Sequence, residues 1–376
     1  MPTTLVPSTT TEALLIAKGV APRYIKGYTD ATYRLSVWLY ELKKRGRIVF
    51  NQRSHSCTWS AWKSEPDVST YVDGTDLTFV THDPTEMLTL PQKQLYATDY
   101  LSQHAYEQMQ GEQQIIDHYK EKMPRLVEAV QKRICRSLFN NGNTNTADYA
   151  GIETFMATGT TTSADKAFKP DANYAGQQTD LGVTGTWTSN LATKPNASVA
   201  TDWPDGDGSS DYDWNSPLIV NYGYDWTGSG SSDWKDNCEE AARYMVTRQQ
   251  RRGAAESAKG RMPLLHLLAT DLLADFQSFI SARNRQIMPY KDGMDYGFSS
   301  TAFFHDGALY DHEFYVPAGV GYSIGIDKMQ LSNVTGELFN TKGPEYSLLK
   351  NGHLFFVYTH GNLRFNPRSF GKFATT

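Results

Sequence analysis

The stretch GRIVFNQRSHSCTWSAWKSEPDVSTYVDGTDLTFVTHDP, residues 46–84, constrains the fold of this chain more than any other. Ser54, Ser56, Thr58 and Ser60 alternate with His55, Cys57, Trp59 and Ala61, the period of two that marks an extended strand. After Asp73-Gly74, a dipeptide suited to a tight hairpin turn, Leu77, Phe79 and Thr81 alternate with Thr78, Val80 and His82. The pattern predicts a long two-stranded ribbon, yet neither face is solidly apolar. A lone two-stranded ribbon is marginal in water. It must therefore lie on something else, and a neighbouring subunit is the natural candidate, with Trp59, Trp62 and Tyr71 as anchors.

Upstream, residues 1–31 show no sustained periodicity and read as an extended arm, followed by a short helix at about 30–45. Lys43, Lys44, Arg45 and Arg47 close that helix, where basic side chains suit the negative end of the dipole; contact with nucleic acid is the alternative. Downstream the period changes. Ile116, Tyr119, Met123, Leu126, Val127, Val130, Ile134 and Leu138 recur every three or four residues, an amphipathic helix of about 40 Å at about 1.5 Å per residue. A shorter helix is expected over about 93–109, and Pro124 should kink the long one or mark a second start.

Residues 157–235 are rich in Thr, Ser, Gly, Asp, Asn and Trp, and read as a polar insertion. Within it, PDGDGSSDYDW (204–214) raises the possibility of a calcium loop. Counting from Asp205 puts Asp207 at position 3, Ser209 at 5, Ser210 at 6 and Ser216 at 12. The glycine at 6 and the glutamate at 12 that such a loop needs are missing, so Asp205, Asp207 and Asp211 read as a solvated turn. Order returns with helical spacing at 234–258, a buried strand PLLHLLA (263–269) and a helix over 270–283. His266 within that apolar run reads as a hydrogen-bonded core histidine. In 320–331, Val320, Tyr322, Ile324 and Ile326 alternate with Gly321, Ser323 and Gly325, leaving one nearly bare face that another backbone can approach.

The chemistry-bearing motifs of an enzyme are missing. No phosphate loop, nucleophile elbow, HExxH or Cys/His cluster occurs. In Asp311-His312-Glu313 successive strand residues point to opposite faces, which separates His312 from its neighbours. Three scattered cysteines (Cys57, Cys135, Cys238) argue for reduced structural thiols. With 36 basic against 41 acidic residues the net charge is −5, which argues against general adhesion to nucleic acid. No run of 18 apolar residues exists, so no membrane helix is expected. No catalytic residue, cofactor or metal is assigned. The 22 Tyr, 17 Phe and 8 Trp suit either large interfaces or a sugar-binding cleft.

Taken in order, the parts resemble the major capsid protein of tailed bacteriophages, whose shell-forming fold encapsulins share. The resemblance rests on YVPAGVGYSIGIDKMQL (315–331), similar to that family's proline–glycine turn leading into a GY strand. GNLRFNPRSFGKF (361–373) is similar to its closing strand and Asn-Pro-Arg turn, and RSLFNNGN (136–143) with Gly151-Ile152 to the end of its spine helix. It covers roughly 93–156 and 236–376. The fold-signature residues are Pro317, Gly319, Gly321, Tyr322, Asn366, Pro367 and Arg368.

The resemblance implies an α+β fold with an N-terminal arm and short helix (1–45) and an extended hairpin loop (46–92). A spine helix and the first part of a peripheral domain follow (93–156), then the insertion (157–235), an axial domain (236–335) and the last of the peripheral domain (336–376). Its implied function is a shell of hexamers and pentamers around double-stranded DNA, held by weak contacts, in a virion assembled in the host cytoplasm. Trp59, Trp62, Lys63, Tyr71, Asp73 and Gly74 become subunit-contact residues. A portal is implied, and because the chain starts at Met1 without the family's cleaved scaffold segment, a separate scaffolding protein as well. Some relatives link subunits through Lys–Asn isopeptide bonds; Lys63 lies near the ribbon tip, but no motif pairs it with an asparagine. An encapsulin-like compartment and a carbohydrate-active β-rich enzyme or binding module are the rival expectations.

Overall fold

The computed structural model describes residues 36–62, 85–108, 112–158, 166–168, 170–179, 215–254, 262–283 and 303–375. In chain order the first elements are α1 (Val37–Lys44), β1 (Ile48–Val49), β2 (Ser56–Trp62), β3 (Thr85–Pro91), β4 (Lys93–Ser102), α2 (Gln103–Gln108) and α3 (Glu112–Ser137). Next come β5 (Ala167–Phe168), β6 (Asn173–Tyr174), β7 (Gln177–Gln178), β8 (Leu218–Asn221), α4 (Trp234–Ala254), β9 (Leu264–Leu268) and α5 (Thr270–Arg283). The chain closes with β10 (Phe303–His305), β11 (Ala308–His312), β12 (Gly321–Gly325), β13 (Met329–Asn333), β14 (Asn340–Ser347), β15 (Gly352–Phe365) and β16 (Phe370–Ala374).

The long amphipathic stripe becomes α3, 26 residues and about 39 Å at about 1.5 Å per residue. Leu126, Val127, Val130 and Ile134 are buried along it. It runs through Pro124 without a second start. Beneath it lies a five-stranded sheet built on β15, a strand of 14 residues. β4 pairs with β15 from Gly352↔Ser102 to Gly361↔Lys93, while β14 and then β13 pair with successive stretches, and β1 adds to β13 in parallel. Lys122 on α3 joins the two layers, 3.0 Å from Asp99 on β4.

Here the expectation of a helix at 93–109 fails. Residues 93–102 are a strand, and helix occupies 103–108. Leu95 and Leu101 are buried while Tyr96, Thr98 and Tyr100 face outward, a period of two. Ten residues of pairing with β15 outweigh the helical propensity of the local sequence.

The second sheet has seven strands in the order β10-β11-β9-β12-β16-β8-β5. Its inner strands β9, β12 and β8 are buried along their whole length, as expected where helices cover a sheet. Trp234 of α4 fixes that helix, its Nε1 donating to Leu272 O of α5 at 2.9 Å and its ring 5.4 Å from Phe373 of β16. This sheet takes strands from the stretch 157–235, read from the sequence as a polar insertion. β5 and β8 lie inside the chain's main sheet, with Leu218, Ile219 and Val220 fully buried. The polar composition of the surrounding turns masks a four-residue apolar strand. Within 336–376, β14 and β15 belong to the five-stranded sheet and β16 to the seven-stranded one.

The two sheets share one apolar core. Phe155 stands at their junction, its ring 5.1 Å from Tyr174, 5.3 Å from Phe365 and 5.7 Å from Phe370. Among the described residues no helix is long and apolar enough to cross a membrane.

Candidate functional site

The ribbon is described at its base. β2 and β3 pair antiparallel from Ser56↔Pro91 to Trp62↔Thr85. Trp62 and Thr85 are equally far in sequence from Asp73-Gly74, so the register is the one that dipeptide predicts. Lys63, Tyr71, Asp73 and Gly74 themselves lie outside the described residues, as do Asp205, Asp207 and Asp211. One face of the base carries Cys57, Ala61, Leu88 and Leu90, all buried, with Trp59 partly so. Thr58, Ser60, Met87 and Thr89 on the other face are exposed.

Trp59 packs within the chain. Its ring lies 6.2 Å from Tyr174 of the β6–β7 hairpin, and Ala175 packs on Ala61 and Leu88 beside it. The inner face of the ribbon base therefore rests on its own chain. Nothing in the local sequence announced this, because two-residue strands carry too short a pattern to read. Trp62 is the last residue of β2. Asn362 fastens the other end, its Nδ2 donating to Pro91 O at 2.8 Å and its Oδ1 accepting from Ala150 N at 3.0 Å.

Asn366, Pro367 and Arg368 lie where the chain passes from the five-stranded sheet to the seven-stranded one, while Pro317, Gly319, Gly321 and Tyr322 form the turn between β11 and β12 and the start of β12, just before a passage the other way. Pro317 to Val320 form a turn closed by Val320 N donating to Pro317 O at 3.2 Å. Gly319 sits at its third position with φ +70°, a conformation that glycine adopts without a Cβ penalty. Tyr222 Oη donates to Gly319 O at 2.9 Å. β12 follows, with Gly321 packed against Leu268 and Phe373. The buried Tyr322 hydroxyl donates to Glu153, which also binds Lys372 Nζ at 2.7 Å, and burial raises the phenol well above its ordinary range.

A single helical turn at Ile326–Lys328 then carries the chain into β13. A matching turn at Pro367–Ser369 carries it back from β15 to β16, with Arg368 buried. The crossings lie against each other. Asn366 N donates to Lys328 O at 3.1 Å, and a Cβ on Gly325 would stand 2.7 Å from Ser369 O. The bare glycine face does let another backbone approach.

The remaining polar candidates are held internally. Asp311 Oδ1 lies 3.3 Å from His312 Nδ1, and that carboxylate raises the imidazole pKa. Glu313 turns away to the start of α1, accepting from Ser36 Oγ at 2.9 Å and Val37 N at 3.1 Å. Burial pushes its carboxyl up to about 7. His266 is a core residue but, contrary to expectation, neither ring nitrogen is hydrogen-bonded. Its ring packs 4.5 Å from Tyr310, and burial pushes its pKa down to about 3. The three cysteines are buried, and burial pushes the Cys135 and Cys238 thiols up to about 12, which leaves no thiolate at neutral pH. Among the described residues no three of His, Cys, Asp and Glu are grouped to hold a metal ion. Trp226 and Trp234, part of the aromatic segment that invited a sugar-binding reading, both donate their Nε1 to backbone carbonyls inside the protein.

The sequence matches no protein-family model and no curated protein. The backbone does find counterparts. A chain in the capsid of a native GTA particle matches with a TM-score of 0.52 at 11% identity, over 89% of this chain and 90% of that one. The capsid asymmetric unit of cyanophage A-1(L) gives 0.51 at 14% identity, over 92% of each. The protein has the tailed-phage capsid fold.

This capsid fold explains why the two motifs at 315–331 and 361–373 carried the resemblance. Each contains one of two adjacent crossings between its sheets, joined by a close glycine contact, and the first also holds the turn and the buried tyrosine that lead into it. At 11–14% identity, what is shared is the path of the backbone.

Proposed function

We propose that this protein is the major capsid protein of a tailed bacteriophage, a structural subunit that self-assembles into an icosahedral shell enclosing double-stranded DNA. The observation that carries this reading is the capsid fold, matched over about nine-tenths of the chain. The five-stranded sheet with α3 takes the peripheral part and the seven-stranded sheet the axial part. Residues 63–84, which join β2 to β3, reach a neighbour, bringing Lys63, Tyr71, Asp73 and Gly74 to the contact. Trp62 stands at the edge of that contact. The mechanism is geometric: many repeated interfaces, each overlapping the next, supply collectively what no single contact does. Hexamers and pentamers of the chain, a separate scaffolding protein, a portal and weakly held DNA complete the virion, assembled in the host cytoplasm.

The test removes the projecting part and keeps the base. Replacing 63–84 by an Asn-Gly turn between Trp62 and Thr85 preserves the pairing register. The subunit should stay soluble, melt within a few degrees of the parent and fail to form shells in sedimentation. Normal shells from this variant would refute the role given to the ribbon.

A further inference from the structure

Arg47, Gln330 and Arg364 stand in one row across three strands. β1 runs parallel to β13 with Ile48 level with Leu331, so the preceding Arg47 is level with Gln330. Gln330 is directly opposite Arg364 in the β13–β15 pair. Residues in one such row share a face of the sheet, and two strand spacings separate the outer members by about 10 Å. All three line a groove of about 390 Å³, walled on the ribbon side by Thr58, Trp59 and Ser60. Both arginines are partly buried, and among the described residues neither has a carboxylate within ion-pair distance. The nearby carboxylate that also lines the groove, Asp327, is taken by Arg45 at 3.2 Å. Burial, with Arg47 adding to it, pulls the Arg364 pKa below its ordinary value.

We propose that this row binds phosphate oxygens. Two like charges on one sheet face, both partly withdrawn from water and unpaired, are unfavourable as they stand. An oxyanion between them removes both penalties. Guanidinium forks match phosphate oxygens in pairs, and a tetrahedral anion has oxygens enough to serve two forks at once. A single carboxylate has two. The hydroxyls of Thr58 and Ser60 and the amide of Gln330 supply the further donors that a phosphate can use. The phosphate comes either from free anion or from the backbone of nucleic acid, and the second source rests on the shell reading above.

Thermal melting in inorganic phosphate against chloride at matched ionic strength tests the site itself. Phosphate should raise the melting temperature by several degrees more than chloride, with Arg47→Gln and Arg364→Gln each weakening the response at least tenfold and the double variant losing it. In chloride the variants should melt at or above the parent temperature, since each removes a repulsion. Anisotropy of a short labelled duplex DNA separates the sources. Binding that phosphate competes away and the double variant lacks assigns the site to a nucleic-acid backbone; no DNA binding beside an intact phosphate response assigns it to free anion. Phosphate acting no better than chloride, a double variant that still responds, or variants that melt lower in chloride would each overturn the proposal. Failure of the parent protein to form shells would remove the DNA source and leave the phosphate result standing.

Discussion

Glu313 reaches 276 residues back along the chain to cap α1, accepting from both Ser36 Oγ and Val37 N. Such a cap normally comes from the residue just before the helix; Ser36 occupies that place and makes no side-chain cap bond. Burial holds the Glu313 carboxyl at about 7 against an ordinary 4.5. With the folded pKa raised, the unfolded chain releases this proton first, so the stability linked to it is complete below about pH 4.5 and is lost as pH rises through 7. Asp311 and His312 beside it and Cys135 facing it set the local field. Glu313→Gln should flatten the profile: denaturant unfolding of the parent minus the variant should fall by on the order of 3 kcal/mol between pH 5 and 8. His266, whose depressed pKa acts in the acid range, is common to both proteins and cancels. A second residue-scale expectation concerns Gly325. An added Cβ would meet Ser369 O at 2.7 Å, Met262 Sδ at 2.9 Å and Ser369 Cβ at 3.0 Å. Gly325→Ala should cost about 1–3 kcal/mol in urea unfolding, because the obstruction is partly backbone and cannot rotate away. That glycine was legible in the alternation of 320–326. The capping role of Glu313 was not, since no local pattern links it to Ser36.

Among the elements, long periodic segments were legible and short ones were not. The stripe from Met123 to Ile134 forms the inner face of α3, and the alternation over 56–61 forms the two faces of β2. Residues 93–102 misled because their strand character comes from pairing with β15, more than 250 positions away. β5 to β8 were hidden in a polar stretch because strands of two to four residues carry no period. The same limit kept Tyr174, and with it the packing of Trp59 on it, from view. Its packing within the chain leads to an expectation at this scale. Trp59→Ala should loosen the ribbon base, raising amide hydrogen exchange in 56–62 and 85–91 at least tenfold while β13 and β15 keep their protection. Unchanged exchange in both strands would show that the base holds without the Trp59–Tyr174 contact.

At the scale of the molecule, two sheets joined by adjacent crossings form a body on which the ribbon base rests. The sequence motifs that resembled phage capsid proteins lie at those crossings, where geometry limits the residues that fit. The surfaces proposed to meet other copies left no comparable trace, because an interface is defined by what it meets and not by a local period. The central claim, that copies of this body close into a shell, is tested most directly by electron microscopy of the purified full chain under a range of assembly conditions. The account predicts closed icosahedral particles whose reconstruction shows the seven-stranded sheet of one subunit near the symmetry axes and the ribbon of each overlapping a neighbour. Small discrete particles under every assembly condition would contradict it.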